Sequence, residues 1–215
     1  TSGTVTVSNA VAINGSTSQV TAALVTDDTK VSAGTATVTI SDANTTSLDA
    51  TDLSAIGGAT SGTVTVSNAV AINGSTSQVT AALVTDDTKV AAGTATVSVS
   101  SAASAADGKA IVAATSGAVQ FTAGISDVAG NLASSGLTTN FTAIKNRDTD
   151  VTVTISDANT TSLDATDLSA IGGATSGTVT VSNAVAINGS TSEVTAALVT
   201  DDTKVAAGTA TVTIS

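Results

Sequence analysis

The chain has 215 residues and a formal net charge of −11, and it contains no His, Cys, Met, Trp, Tyr or Pro. Without imidazole or thiol groups, the sequence excludes a Ser-His-Asp triad, a cysteine nucleophile and the zinc sites that are usually built from these ligands. The acidic balance argues against nucleic-acid binding, because an acidic surface repels phosphate groups. No segment has the length and hydrophobicity of a membrane span.

Residues 37–98 show the order of predicted elements. Strands are indicated by alternating β-branched residues. A short helix is indicated where Leu48, Leu53 and Ile56 fall near helical spacing, with acidic residues early and Gly57-Gly58 as a C-terminal stop. The predicted elements are a strand at 37–40, a helix over about 48–56, a strand at 62–66 that can continue to 72, and a strand at 94–99.

The segment after Asn73-Gly74 has two interpretations. Val79, Ala82 and Leu83 fit the i, i+3, i+4 spacing of a helix, with Ser75 or Ser77 as the N-cap. The same segment also alternates in hydrophobicity, and Asn-Gly is a strong hairpin signal. We favour the helix and keep the hairpin as the alternative.

Internal repetition is the strongest signal in the chain. A 31-residue segment that starts at Thr1 recurs at Thr60 and, with one change, at Thr175, and residues 37–100 match 152–215 at 61 of 64 positions. The basic period is 59 residues, and both ends interrupt a repeat, so we expect the natural polypeptide to continue on both sides. The predicted division is a first copy at 1–59, truncated at its start; a second copy and the start of a degenerate one at 60–114; the degenerate copy at 115–151; and a fourth copy, truncated at its end, at 152–215.

The repeat pattern predicts a fold class with one rival. Strands alternating with short helices predict a β-rich repeat solenoid, in which βα coils stack their strands into a parallel sheet. The alternative is a string of all-β immunoglobulin-like sandwiches. The DVAGN motif at 127–131 resembles a loop of bacterial immunoglobulin-like repeats and supports that alternative locally.

Two sequence stretches, VTAALVTDDTKVSAGTATVTISDA at 20–43 and LDATDLSAIGGATSGTVTVSNAV at 48–70, carry a family resemblance. They resemble the β-strand-repeat giant proteins of bacterial cell surfaces, especially those of marine cyanobacteria, over nearly the whole chain apart from about 127–150. The resemblance implies an extracellular or cell-surface location and a role in a surface layer, fibre or adhesin. It implies no catalytic residues. The partners that we expect are neighbouring copies of the same protein, with a surface polysaccharide as a further candidate.

Repeated acidic clusters are the candidate metal sites. Oxygen ligands in a loop suit Ca²⁺, although the spacing matches neither the EF-hand loop nor the glycine-rich nonapeptide of calcium β-rolls. Helix capping by the same side chains is the competing interpretation, so the sequence predicts either no cofactor or a calcium ion. The candidate ligands are Asp42, Asn44, Asp49 and Asp52, with their repeats Asp157, Asn159, Asp164 and Asp167.

Other polar motifs suggest surface roles. The Asp27-Asp28 pair, repeated at 86–87 and 201–202, precedes Lys30, Lys89 and Lys204, and this spacing indicates exposed ion pairs. Gly57-Gly58 and the following Thr-Ser-Gly predict a turn. Only the degenerate copy, with Lys145, Arg147, Asp148 and Asp150, offers a hint of an enzymatic cleft. We therefore expect a structural protein of an extracellular filament, sheath or surface layer and not an enzyme; the alternative is the stalk of a large adhesin.

Overall fold

The computed structural model describes residues 5–88, 90–203 and 205–215. In this part of the chain, short parallel strands alternate with short helices, so the fold is α/β. The strands are β1 (Ala12–Gly15), β2 (Thr37–Ile40), β3 (Ser47–Asp49), β4 (Val64–Val66), β5 (Ala71–Gly74), β6 (Thr96–Val99), β7 (Val119–Phe121), β8 (Ile125–Asp127), β9 (Val153–Ile155), β10 (Ser162–Asp164), β11 (Val179–Val181), β12 (Ala186–Gly189) and β13 (Thr211–Ile214). The helices are α1 (Thr17–Leu24), α2 (Ala50–Gly58), α3 (Thr76–Leu83), α4 (Ala105–Ala113), α5 (Ala129–Leu132), α6 (Thr139–Lys145), α7 (Ala165–Gly172) and α8 (Thr191–Leu198).

The chain divides into two compact units. The first comprises Thr1–Ser100 and Ala110–Val119, and the second comprises Ser101–Lys109 and Gln120–Ser215. The first unit contains two small parallel sheets with the strand orders β1-β2-β4 and β3-β5-β6, and the second contains β8-β9-β11 and β10-β12-β13. The strands are short, and each contributes only three or four residues to its sheet.

Paired strands lie about 25 residues apart in the sequence. Ile13 lies opposite Val38, and Val38 lies opposite Val64, so the steps are 25 and 26 residues. The helices α1 and α2 lie in the intervening segments. Parallel pairing requires such a crossover, because the chain must return to the same end of the sheet before the next strand begins. We call each segment of about 25 residues that leads from one strand to its parallel partner a coil.

The helix prediction after Asn73 is confirmed. Ser75 begins α3 with a capping box: its hydroxyl accepts from the backbone N–H of Gln78, while the Gln78 side chain accepts from the backbone N–H of Ser75. The hairpin alternative is wrong, because Ala71–Gly74 pairs in parallel with β6 and a helix follows it. The all-β sandwich is wrong for the same reason. The DVAGN motif likewise leads from β8 into the helix α5 and forms no immunoglobulin-type loop.

Three predicted boundaries need correction. The helix predicted over about 48–56 is α2, which begins at Ala50, and it includes Gly57 and Gly58 instead of stopping before them. Gly57 is buried against the backbone of Thr88, where no side chain would fit. The strand predicted from 62 towards 72 is divided, because β4 and β5 belong to different sheets. The strand at 37–40 is confirmed as β2.

The core consists mainly of Val, Ile, Leu and Ala side chains from the inner faces of the strands and helices, together with Phe121 and Phe141. In β2, Val38 and Ile40 are buried while Thr37 is exposed, as expected for a strand with one face on the core. Leu53 and Ile56 of α2 are fully buried. Burial of such aliphatic side chains contributes roughly 1.5–3 kcal/mol each relative to exposure. Among the described residues, no helix is long and apolar enough to cross a membrane.

The recurring Thr-Ser-Gly motif joins neighbouring coils. The Thr60 hydroxyl donates to the Ala36 carbonyl oxygen at 2.6 Å and accepts from the Gly62 N–H at 3.1 Å. The Ser61 hydroxyl donates to the Gly34 carbonyl oxygen at 2.9 Å. The same arrangement recurs at Thr115-Ser116-Gly117 and at Thr175-Ser176-Gly177. We call this arrangement the TSG staple.

Substitution of Gly62, the glycine of the TSG staple, tests how closely the backbones of neighbouring coils approach each other. A Cβ atom added at Gly62 would overlap the Ala36 carbonyl oxygen, whereas one added at Gly34 would meet no atom within 4 Å. We expect Gly62→Ala to destabilise the chain by about 1–3 kcal/mol, because the two backbones must separate. Thermal unfolding followed by circular dichroism measures the effect, with Gly34→Ala as the matched control. Equal melting temperatures for the two variants would contradict the tight approach.

Candidate functional site

Asp42 and Asp157, two of the predicted calcium ligands, hold the first turns of helices in neighbouring coils. One Asp42 carboxylate oxygen accepts from the Thr17 N–H at 2.6 Å and from the Thr17 hydroxyl at 2.7 Å, at the start of α1. Asp157 accepts from the Ala129 N–H at 2.7 Å, at the start of α5. A carboxylate at a helix N-terminus accepts a hydrogen bond from an otherwise unpaired N–H, and its negative charge interacts favourably with the positive end of the helix dipole.

Asp127, which was not among the predicted ligands, also binds the first turn of a helix in a neighbouring coil. Its carboxylate accepts from the Ala105 N–H at 2.9 Å, at the start of α4, and also from the Asn131 side chain at 2.7 Å. All three aspartates end the sequence Ile-Ser-Asp, which occurs at 40–42, 125–127 and 155–157. This recurrence was a signal that could have identified the role. We call these three side chains the Ile-Ser-Asp caps.

Asn44 and Asn159 bind the backbone of the next coil. The Asn44 side-chain oxygen accepts from the Ala69 N–H at 3.0 Å, and the Thr45 N–H donates to the Ala69 carbonyl oxygen at 2.8 Å. Thr45 has a φ of 65°, which is unfavourable for a β-branched residue. Asn159, Thr160 and Ala184 repeat this arrangement, including a positive φ at Thr160. Both amide oxygens that were predicted as ligands therefore already accept a hydrogen bond.

The remaining four predicted ligands lie on or beside helices. Asp49 and Asp164 are the N-caps of α2 and α7, and each accepts from a backbone N–H two residues later at 2.7 Å. Asp52 is exposed in the first turn of α2, and Asp167 accepts a long bond of 3.4 Å from the Gly136 N–H. Among the described residues, no group of three or more acidic side chains is placed to hold a metal ion. Calcium binding stays a prediction from the sequence.

The degenerate copy contains two neighbouring carboxyl groups, the buried Asp148 and the exposed Asp150. Asp148 follows α6, is almost fully buried, and accepts from the Phe121 N–H at 2.7 Å. Burial raises the pKa of Asp148, and the nearby Asp150 carboxyl raises it further, while the N–H groups of Phe121 and Asp150 oppose the shift. A cleft of about 170 Å³ opens beside the pair, with Gln120, Thr122 and Thr152 among the residues that line it.

The two carboxyl groups beside the cleft are not by themselves sufficient for acid–base catalysis. Two adjacent carboxyl groups can share a proton, but acid–base catalysis also requires a bound substrate with its reactive atom between them. Lys145 donates to Asn146 at 3.1 Å, beside the end of α6. The bond from Asp148 to Phe121 joins residues 27 positions apart. Asp148 therefore resembles the Ile-Ser-Asp caps in joining neighbouring coils.

The repeated aspartate pair lies at the surface. Asp27 and Lys30 form an exposed ion pair of 2.6 Å, and the Lys30 ammonium lowers the pKa of Asp27. Such an exposed pair contributes little to stability. Lys89 and Lys204 lie outside the described residues. Asp86 and Asp87 border a shallow depression of about 360 Å³, together with Gly57, Gly58 and the Thr60–Gly62 turn.

Removing an Ile-Ser-Asp cap should weaken its helix. We expect Asp42→Ala to destabilise the chain by about 1–3 kcal/mol, because the N–H and hydroxyl of buried Thr17 lose a charged partner. The matched control is Asp52→Ala, which removes an exposed carboxylate and should change stability by less than about 0.5 kcal/mol. Chemical denaturation of both variants measures the difference.

The same pair of variants tests calcium binding when it is repeated with a chelator. If Asp42 acts only as a cap, the two variants keep their difference in buffer with EDTA and in buffer with calcium. If calcium binds the cluster, EDTA lowers the melting temperature of the wild type and removes most of the difference between wild type and Asp42→Ala.

Asp148 should make stability depend on pH. Because its pKa is raised in the folded state, the folded chain binds the proton more tightly than the unfolded chain does. This contribution is fully present below the unfolded pKa, near 3.8, and is lost as the pH rises through the folded pKa. We expect Asp148→Asn to raise the melting temperature at pH 7 and to lose that advantage below about pH 4. Melting curves at several pH values, with the exposed Asp52→Asn as the control, measure this dependence; an advantage that persists at pH 3 would contradict it.

Comparison with known proteins adds no assignment. A scan against protein-family models finds no match, and searches against curated proteins and against solved structures find no similar chain. The candidate site therefore rests on its own geometry.

Proposed function

We propose that the chain is a repeat solenoid that serves as structural material of an extracellular filament, sheath or surface layer. The observation that carries this proposal is that three kinds of coil-to-coil hydrogen bond, each made by the same type of side chain, recur along the described chain. The bonds comprise the TSG staples, the Ile-Ser-Asp caps and the asparagine contacts at Asn44 and Asn159.

Repeated contacts between neighbouring coils suit a mechanical role. In a stack of similar coils, the free energy of folding is close to a sum of coil stabilities and nearest-neighbour terms. Similar contacts make these terms similar among the well-kept copies. Load applied along such a stack would be shared by many similar hydrogen bonds.

The use of polar side chains supports a structural role over an enzymatic one. Thr60, Asp42, Asn44 and Asp148 all bind backbone groups about 25 residues away. A catalytic group must instead face a substrate with its hydrogen-bonding atoms available. The resemblance to the giant repeat proteins of bacterial surfaces supports the extracellular location and the pairing with neighbouring copies of the same protein.

Electron microscopy of the purified chain tests the proposal. We expect negative-stain images at rising protein concentration to show fibres or a lattice. Assembly should increase from 0.05 to 0.5 M NaCl, because salt screens the repulsion between copies that each carry a net charge of −11. Single particles at every concentration and salt level would overturn the filament proposal and favour the adhesin stalk.

A further inference from the structure

Six asparagines of the chain stand in the sequence Asn-X-Ser/Thr, in which X is any residue except proline. This sequence, the sequon, is the acceptor site of N-linked glycosylation, a modification of exported proteins. The structure separates the six sequons by their surroundings. They begin at Asn14, Asn44, Asn73, Asn140, Asn159 and Asn188.

The sequon at Asn44 forms an exposed turn, and its repeat does the same. The Thr46 N–H donates to the Ala43 carbonyl oxygen at 3.1 Å and closes the turn. Asn44 and Thr45 lie exposed at its tip. The second turn, at 158–161, repeats both the hydrogen bond and the exposure. The three residues of each of these sequons are therefore presented at the surface.

Coils on both sides of each turn are described, so the exposure does not arise from the ends of the sequence. On one side, Asp42 binds Thr17 in the preceding coil. On the other side, Asn44 binds Ala69 in the following coil. The second turn has the same two contacts, to α5 before it and to the segment that leads into β12 after it.

The Asn44 side chain leaves available the atom that receives a sugar. Its oxygen Oδ1 accepts from the Ala69 N–H, whereas its nitrogen Nδ2 has no hydrogen-bond partner among the described residues. N-glycosylation forms its bond at Nδ2 and leaves Oδ1 unchanged, so a modified asparagine keeps its contact with the next coil. Asn159 has the same arrangement with Ala184.

The sequons at Asn73 and Asn188 use the same nitrogen to join strands. In Asn73, Nδ2 donates to the Ser47 hydroxyl at 3.0 Å and to the Ala71 carbonyl oxygen at 3.1 Å. Asn188 makes the two corresponding bonds. A sugar on Nδ2 would replace one of these hydrogens and so remove a bond that the fold uses. Asn14 occupies the same place in the first copy.

The sequon at Asn140 lies within the helix α6. Phe141 is fully buried, and the Thr142 N–H donates to the Thr138 carbonyl oxygen at 3.0 Å, as in a regular helix. A transferase must bind the three residues of a sequon in its own site. This sequon therefore becomes accessible only if the helix unfolds and Phe141 leaves the core.

The sequence distinguishes the sequons at Asn44 and Asn159 as well. An aspartate, Asp42 or Asp157, stands two positions before each of them, and none of the other four sequons has an acidic residue at that position. Bacterial oligosaccharyltransferases select their acceptors by such an acid, through a basic group that pairs with the carboxylate. Because both carboxylates bind helix N-termini in the folded chain, we expect the transfer to precede the packing of these coils.

We propose that Asn44 and Asn159 are N-glycosylation sites of the exported chain. The sugar donor is an oligosaccharide linked to a polyprenyl pyrophosphate. Nδ2 attacks the anomeric carbon of the first sugar, the bond from that carbon to the pyrophosphate oxygen breaks, and the proton lost from Nδ2 ends on the pyrophosphate that leaves. This inference rests on the extracellular location in the proposed function.

Export of the chain from a bacterial host that carries such a transferase and its lipid-linked oligosaccharide tests the proposal. Peptide mapping by mass spectrometry should find the oligosaccharide at Asn44 and Asn159 and at none of the other four sequons. Thr46→Val removes the first sequon but keeps Asn44, so this variant should lose one glycan and keep the one at Asn159. A second acceptor protein with the sequence Asp-X-Asn-X-Thr, exported from the same cells, establishes that the transferase is active.

Thermal unfolding shows whether the fold accommodates the glycans. The modified chain should melt within about 3 °C of the unmodified chain, because both Oδ1 contacts are kept. A larger decrease would overturn the inference. So would a chain that stays unmodified at both asparagines while the second acceptor is modified, or one that is modified at Asn73 or Asn188 instead.

Microscopy of the same material separates this inference from the filament proposal. A chain that stays unmodified but still forms fibres would overturn the glycosylation sites alone. A chain that is modified at both sites but never assembles, with or without its glycans, would overturn the filament proposal and leave the sites standing.

Discussion

The structure depends on one constraint: the backbone N–H and C=O groups at the edge of each strand must pair with those of the next coil. A strand of three or four residues has too few hydrogen bonds and too little apolar area to be stable alone. The chain meets this constraint by returning every 25 residues or so to extend the same sheet, and by adding side-chain bonds at fixed places in each coil. Thr60 and Asp42 contribute to this continuity, because each binds a backbone group in the neighbouring coil.

The composition follows from that constraint. Thr, Ser and Asn are short, and their hydroxyl and amide groups reach a backbone about one strand spacing away with little loss of side-chain entropy. Glycine is required where backbones approach most closely, as at Gly62 and at Gly57 within α2. The degenerate copy holds its coils together with different residues. It contains the fully buried Phe141 and the buried Asp148 carboxylate.

Local features of the fold were predictable from the sequence, and features that depend on distant residues were not. The 59-residue repeat, the strand at 37–40 and the helix after Asn73 follow from spacing and capping signals close to each element. The division between β4 and β5 depends on which sheet each strand joins, and the helical position of Gly57 depends on Thr88 in another coil. The candidate ligands were read as one cluster because they are close in sequence, yet Asp42 binds Thr17 and Asn44 binds Ala69, each about 25 residues away.

The TSG staple also bears on how such a gene can change over generations. Because each staple connects a coil to its neighbour through the same atoms, removing or duplicating one 59-residue period would join two surfaces that already fit. Recombination between the stretches of DNA that encode these near-identical segments would then produce proteins of different lengths that keep the same contacts between coils. Selection could adjust the reach of the molecule by copy number, without inventing a new interface at any step.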